Sequence, residues 1–148
     1  MTEETTPRAS APGTGTLPPR TARDRVTIRM PAEGAYLSVL RTATAGLAAR
    51  LDFTLDEIED LRIAVDEACA MLLAEADTDS TLECDFELGG DTMTISVSAQ
   101  SALGRVPAKD TFAWTVLTAL AGYVDSTLGP GDRVTIVLRK TRRYPGAG

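Results

Sequence analysis

Asp60-Leu61-Arg62-Ile63-Ala64-Val65-Asp66-Glu67-Ala68-Cys69-Ala70-Met71 lies near the middle of the chain and carries its clearest pattern. Ile58, Leu61, Val65, Ala68, Leu72 and Leu73 recur at three- and four-residue spacing, which marks a helix with one buried side. Thr54 followed by Glu57 makes a capping box at its start, and the helix is expected to run to about Ala76.

Upstream, Leu37, Leu40, Ala43, Leu47 and Leu51 repeat at helical spacing, so a first helix is expected over 34–51, parted from the second by Asp52-Phe53. Before it, Arg25-Val26-Thr27-Ile28-Arg29-Met30 alternates with period two and reads as a strand ended by Pro31. Downstream, residues 82–88 alternate as a strand. Gly89-Gly90-Asp91 supplies a turn, and residues 93–98 return as the hairpin partner. An irregular stretch over 99–110 holds Gly104 and Pro107. A helix over about 112–124 follows, apolar at Val116, Leu117, Leu120 and Val124. Leu128 to Asp132 reads as a turn, and 134–139 as a last strand. The order β-α-α-β-β-α-β predicts a two-layer α/β sandwich, three helices on one face of a mixed four-stranded sheet. There are no internal repeats.

Residues 1–24 are rich in Thr, Pro, Ala and Gly, with too little apolar surface to offset their ordering entropy, and are expected to form a disordered tail. Residues 141–148 read the same way, leaving 25–140 as one domain. With 148 residues and 43% hydrophobics, the chain has enough apolar mass for a core without metal or disulfide staples.

The net charge of −6 is unevenly spread. Nine of the 15 basic residues crowd the two ends, and residues 30–138 hold six bases against 18 acids, a net of −12. Seven of those acids (Asp52, Asp56, Glu57, Glu59, Asp60, Asp66 and Glu67) lie within 52–67, where Arg62 is the one base. Acids at a helix start meet a favourable dipole, which accounts for Asp56 and Glu57 but not for the whole excess. So acidic a body argues against nucleic-acid binding and for a basic protein partner.

The chain has no histidine, which removes Ser-His-Asp and Cys-His catalysis and His-ligated zinc. Cys69 and Cys84 are too few for a four-cysteine metal site and wrongly spaced for a CxxC redox pair. Both fall among apolar neighbours, so they read as inert core thiols. No apolar run approaches membrane-spanning length, and the start has no apolar stretch after its charges; the expectation is a soluble, cytoplasmic chain.

The segment DLRIAVDEAC, supported by FAWTVLTALAGYVD and RVTIVLRK at the right distances, resembles the RsbW-type anti-sigma-factor kinases of the GHKL ATPase superfamily. It is closer still to the actinobacterial UsfX-like anti-sigma proteins, and the resemblance covers roughly 25–140. It implies the GHKL (Bergerat-type) fold, and a homodimer that binds an alternative sigma factor of the stress or development type. It also implies a small anti-anti-sigma antagonist of the STAS type that competes for that dimer.

In the active kinases of this family a helix carries Glu-x-x-x-Asn, the Glu serving the attacking nucleophile and the Asn holding magnesium. Here Glu67 matches the Glu, but Met71 replaces the Asn, and a thioether is a poor ligand for a hard cation. An Asp-x-Gly that reads adenine falls at Ala99 and Ser101. The Gly-rich lid that wraps the phosphates falls at Thr111-Phe112-Ala113, without a glycine. Adenine recognition, metal coordination and the phosphate cradle all lack their chemical groups, so no cofactor and no metal are expected. Glu67 reads as a helix glutamate before it reads as a catalyst. Phe112 and Trp114 either fill the space of the nucleotide or anchor the last helix in the core.

The resulting expectation is a non-catalytic anti-sigma factor. Two alternatives stand beside it: a working serine kinase in which main-chain groups replace the lost side chains, and a sensor that uses the vacated cleft for another ligand.

Overall fold

The computed structural model describes residues 24–77 and 79–143. In chain order it comprises β1 (Asp24–Pro31), α1 (Leu37–Arg50), α2 (Leu55–Ala74), β2 (Thr81–Gly89), β3 (Thr92–Gln100), α3 (Phe112–Ala121), β4 (Tyr123–Gly129) and β5 (Arg133–Thr141). Short 3-10 turns, Gly34–Tyr36 and Pro130–Asp132, precede α1 and β5. The three helices and one sheet form the expected two-layer α/β sandwich.

The sheet departs from expectation in two linked respects. It has five strands in the order β1-β2-β3-β5-β4, and each of its four pairings is antiparallel. The additional strand is β4, which falls where the last helix was expected to continue to 124. That helix stops at Ala121 because Gly122 takes φ 94°, a conformation open to glycine, while its N–H still bonds the Thr118 carbonyl. Val124 falls four residues after Leu120, so helical spacing persists in the sequence beyond the break. One extra traverse reverses the chain once more, so β5 runs antiparallel to β3 rather than parallel, and the sheet is not mixed.

The inner sheet face is apolar for the reason period two dictates. Leu82, Cys84, Phe86 and Leu88 of β2, Ile95 and Val97 of β3, and Ile136 and Leu138 of β5 are all buried. Helix α2 covers this face with Leu61, Ala64, Val65, Ala68 and Leu72, and α1 adds Leu40 and Ala48. Thr44, on the buried side of α1, satisfies its hydroxyl by donating to the Leu40 carbonyl at 2.7 Å.

The predicted capping box is present: Thr54 Oγ1 accepts from the Glu57 amide at 3.1 Å, and Glu57 Oε1 accepts from the Thr54 amide at 2.8 Å. The far end of β5 closes onto the same place. Thr141 belongs to the strand, and Arg142 and Arg143 donate to Leu51 O and Glu57 Oε2 at 3.0 and 2.8 Å. The rest of the two expected tails, 1–23 and 144–148, lies outside the described residues.

Candidate functional site

The six residues singled out from the sequence fall on three elements, and five of them meet around Met71. Met71 sits near the C-terminal end of α2, half-buried. Ala99 and Ser101 come from the end of β3 and the residue beyond it, both buried at 1% and 7% exposure. Thr111 and Ala113 lie at the start of α3. Met71, Ala99 and Ser101 line a recess of about 10 Å³ with Leu72 and Val134, room for about one water. Met71, Thr111 and Ala113 line a wider cleft of about 520 Å³ with Ala74, Val106, Pro107 and Ala108. Glu67, a turn earlier on α2 and half-buried, lines neither.

Five hydrogen bonds shape the wall formed by residues 101–111. The Ser101 amide donates to Asp132 O at 2.8 Å and the Ala102 amide to Glu75 O at 2.7 Å, tying the chain to the 3-10 turn before β5 on one side and to the C-cap of α2 on the other. Ser101 Oγ accepts the amides of Leu103 and Gly104 at 3.1 and 3.0 Å, closing a tight turn. Gly104 has φ +64°, and a Cβ there would stand 3.1 Å from Asp132 Oδ1, so both conformation and space favour glycine. Further along, Thr111 Oγ1 caps α3 by accepting the Trp114 amide at 3.1 Å.

Charges at the cleft are paired. Arg105 meets Glu75 at 3.3 Å, and Lys109 meets Asp125 of β4 at 2.8 Å while lying 5.6 Å from the Trp114 ring centre. The Lys109 ammonium, together with the Ser126 amide, holds the Asp125 carboxyl below its usual range. The sequence reading missed Glu75, Arg105 and Asp132. Neither ion pair has a sequence spacing that points to it.

Phe112 and Trp114 part company. Trp114 is buried at 7% exposure and anchors α3 in the core, whereas Phe112 is 82% exposed and neither fills the cleft nor packs inside. Both cysteines are buried, and burial pushes the Cys69 thiol up to about 12 and Cys84 higher still.

Most of the acidic run along 52–67 is answered from within. Arg41 binds Asp66 through both carboxylate oxygens at 2.9 Å, and Arg62 binds Glu59 at 2.7 Å. Lys140 and Arg142 stand 3.9 Å from Asp60 and Asp52, and Glu57 is taken up by its cap. Among the described residues, Asp56 and Glu67 are the members of the run without such a partner. Bases that crowd the C-terminal end of the sequence thus return to α2. Among the described residues no helix is long and apolar enough to cross a membrane.

No family model matches the chain. It is 37% identical over 90 residues to "Anti-sigma-F factor RsbW" of Mycobacterium tuberculosis, covering 61% of this chain and 54% of that protein. It is 37% identical over 78 residues to "Serine-protein kinase RsbW" of Halalkalibacterium halodurans, covering 52% and 48%. Against "Serine-protein kinase RsbW" of Bacillus subtilis it is 42% identical over 53 residues, covering 36% and 33%. The chain therefore spans about half the length, or less, of the curated relatives it matches. Its fold is similar to the crystal structure of the RsbU and RsbW domains of Rv1364c from Mycobacterium tuberculosis, with TM-score 0.65 and 16% identity over 83% of this chain and 34% of that one. In sequence the chain is similar to RsbW proteins over about half their length, and its α/β fold is similar to that of the solved RsbU and RsbW domains.

Proposed function

We propose that this protein is a cytoplasmic anti-sigma factor that sequesters an alternative sigma factor and surrenders it to a STAS-type anti-anti-sigma antagonist, without phosphorylating that antagonist. The observation that carries the reading is the set of side chains around Met71, in a chain whose relatives bear the names anti-sigma-F factor and serine-protein kinase. A magnesium site needs oxygen ligands, and Met71 offers sulfur. Adenine recognition needs an acceptor, and Ala99 offers a methyl group in a recess sized for about one water. Ser101 and Thr111 spend their oxygens on main-chain amides at 3.0–3.1 Å. These residues do not fit Mg-ATP.

Glu67, outside the cleft lining, is a helix residue in this account and not a catalyst. A sigma factor carries basic DNA-binding helices, which the net charge of −7 on the described residues, 12 bases against 19 acids, attracts. Because most acids of α2 are already paired, that attraction belongs to the whole body and not to one face of α2. The protein acts as a homodimer in this reading, as the resemblance implies.

The kinase alternative has one support, the relatives named serine-protein kinase. Incubating the protein with Mg-ATP and its antagonist, followed by intact-mass spectrometry, separates the two. No phosphate gain is expected, and a stoichiometric gain abolished by Glu67→Gln would overturn the non-catalytic reading.

A further inference from the structure

We infer that the cleft beside Met71 is a binding site for a neutral, predominantly apolar small molecule. The inference rests on the reading that nucleotide binding has been lost there, and adds what replaces it. At about 520 Å³ the cleft falls in the size range of small-molecule sites. Met71, Ala74, Val106, Pro107, Ala108 and Ala113 give it walls of carbon and one polarisable sulfur, and a thioether adapts readily to an irregular apolar surface.

The electrostatics select against an ion. Arg105, the cation at the lining, is matched by Glu75 at 3.3 Å, so a bound anion would compete with a carboxylate and a bound cation with a guanidinium. The Thr111 hydroxyl already accepts from Trp114 N and donates to Ala108 O at 3.4 Å. The amides of Ala102, Leu103 and Gly104 are turned to Glu75 O and Ser101 Oγ. A phosphate would find the Arg105 guanidinium and the Thr111 hydroxyl engaged, while an uncharged apolar molecule needs neither and gains from leaving water. The wall is also braced on both sides, by α2 through Ala102 and by the turn before β5 through Ser101, so the cleft is formed before a ligand arrives.

Nile red, neutral and solvatochromic, is a suitable probe for the full chain. Titration is expected to give a saturable blue-shifted emission with one site per chain. Ala108→Trp on the exposed loop and Ala74→Trp on α2 fill the cleft from separate elements, and each is expected to weaken binding at least about tenfold while the thermal transition is kept. Phe112→Ser, removing the most prominent apolar side chain nearby, is expected to leave it unchanged. Absence of saturable binding, binding indifferent to both tryptophans, or binding lost with Phe112→Ser would each overturn the inference. Displacement of Nile red by Mg-ATP would overturn the loss of nucleotide binding as well. Failure of the dye together with failure of Mg-ATP to bind overturns this inference alone.

Discussion

Glu57 accepts the main-chain N–H of Arg143 at 2.8 Å with one carboxylate oxygen, while the other caps Thr54 at the start of α2. Two residues 86 apart in sequence are joined by an acid buried to 4% exposure. Burial alone raises the carboxyl, but the amides of Thr54 and Arg143, the Thr54 hydroxyl and the Lys140 charge outweigh it and hold Glu57 below its ordinary 4.5. A carboxyl lowered on folding contributes stability that is fully present above the unfolded value and lost as pH falls through the folded one. Chemical denaturation should therefore show stability falling once pH drops below about 4.5, and Glu57→Gln should flatten that fall. At neutral pH, Glu57→Ala is expected to cost about 1–2 kcal/mol, since it removes a cap and leaves amides unpaired.

Gly104 is expected to resist replacement. Alanine there meets both the positive φ and the Asp132 carboxylate at 3.1 Å. A loss of about 1 kcal/mol or more in urea denaturation is the expected result. Gly104→Ala combined with Asp132→Ala should recover the steric share of that loss and leave the conformational share.

The cysteines should be silent in the folded protein. With the Cys69 thiol pushed to about 12 and Cys84 higher, the thiolate needed for attack is scarce near neutral pH, and both sulfurs are shielded. Ellman's reagent is expected to react with neither until denaturant is added, and then with both. Rapid reaction of either in the native state would contradict the burial of both cysteines between the helices and the sheet.

Met71→Asn supplies the oxygen ligand that the family resemblance puts at this position and is expected to confer no nucleotide binding. Ala99 still offers no acceptor for adenine, and the donors along 102–104 stay engaged by Glu75 and Ser101. Isothermal titration with Mg-ATP should give no heat of binding for either wild type or variant. A clear isotherm for Met71→Asn alone would mean that a single side chain had silenced an otherwise intact site.

The helices and the inner sheet face were legible because their apolar residues follow 3.6 and 2.0 periods, and the Thr54–Glu57 cap because both members are three residues apart. Strand β4 was not. It is an edge strand whose burial alternates weakly, and Val124 happens to continue the helical spacing past the Gly122 break. Met71, Ala99, Ser101, Thr111 and Ala113 were legible as one neighbourhood only through family resemblance, since nothing in their spacing joins them. The pairs Glu75–Arg105 and Lys109–Asp125 were out of reach, because an ion pair between distant residues leaves no periodic trace. The pairing of Asp66 by Arg41 and of Asp60 by Lys140 was hidden for the same reason, so the sequence overstated the charge that α2 shows to a partner.

The most direct measurement is capture of partners from source-cell lysate with the tagged protein, in parallel with and without added Mg-ATP, with the bound proteins identified by mass spectrometry. The account predicts a sigma factor recovered to the same extent in both. A sigma factor whose recovery changes with Mg-ATP would contradict the nucleotide-independent mechanism, and the absence of any sigma factor from both would contradict the anti-sigma function itself.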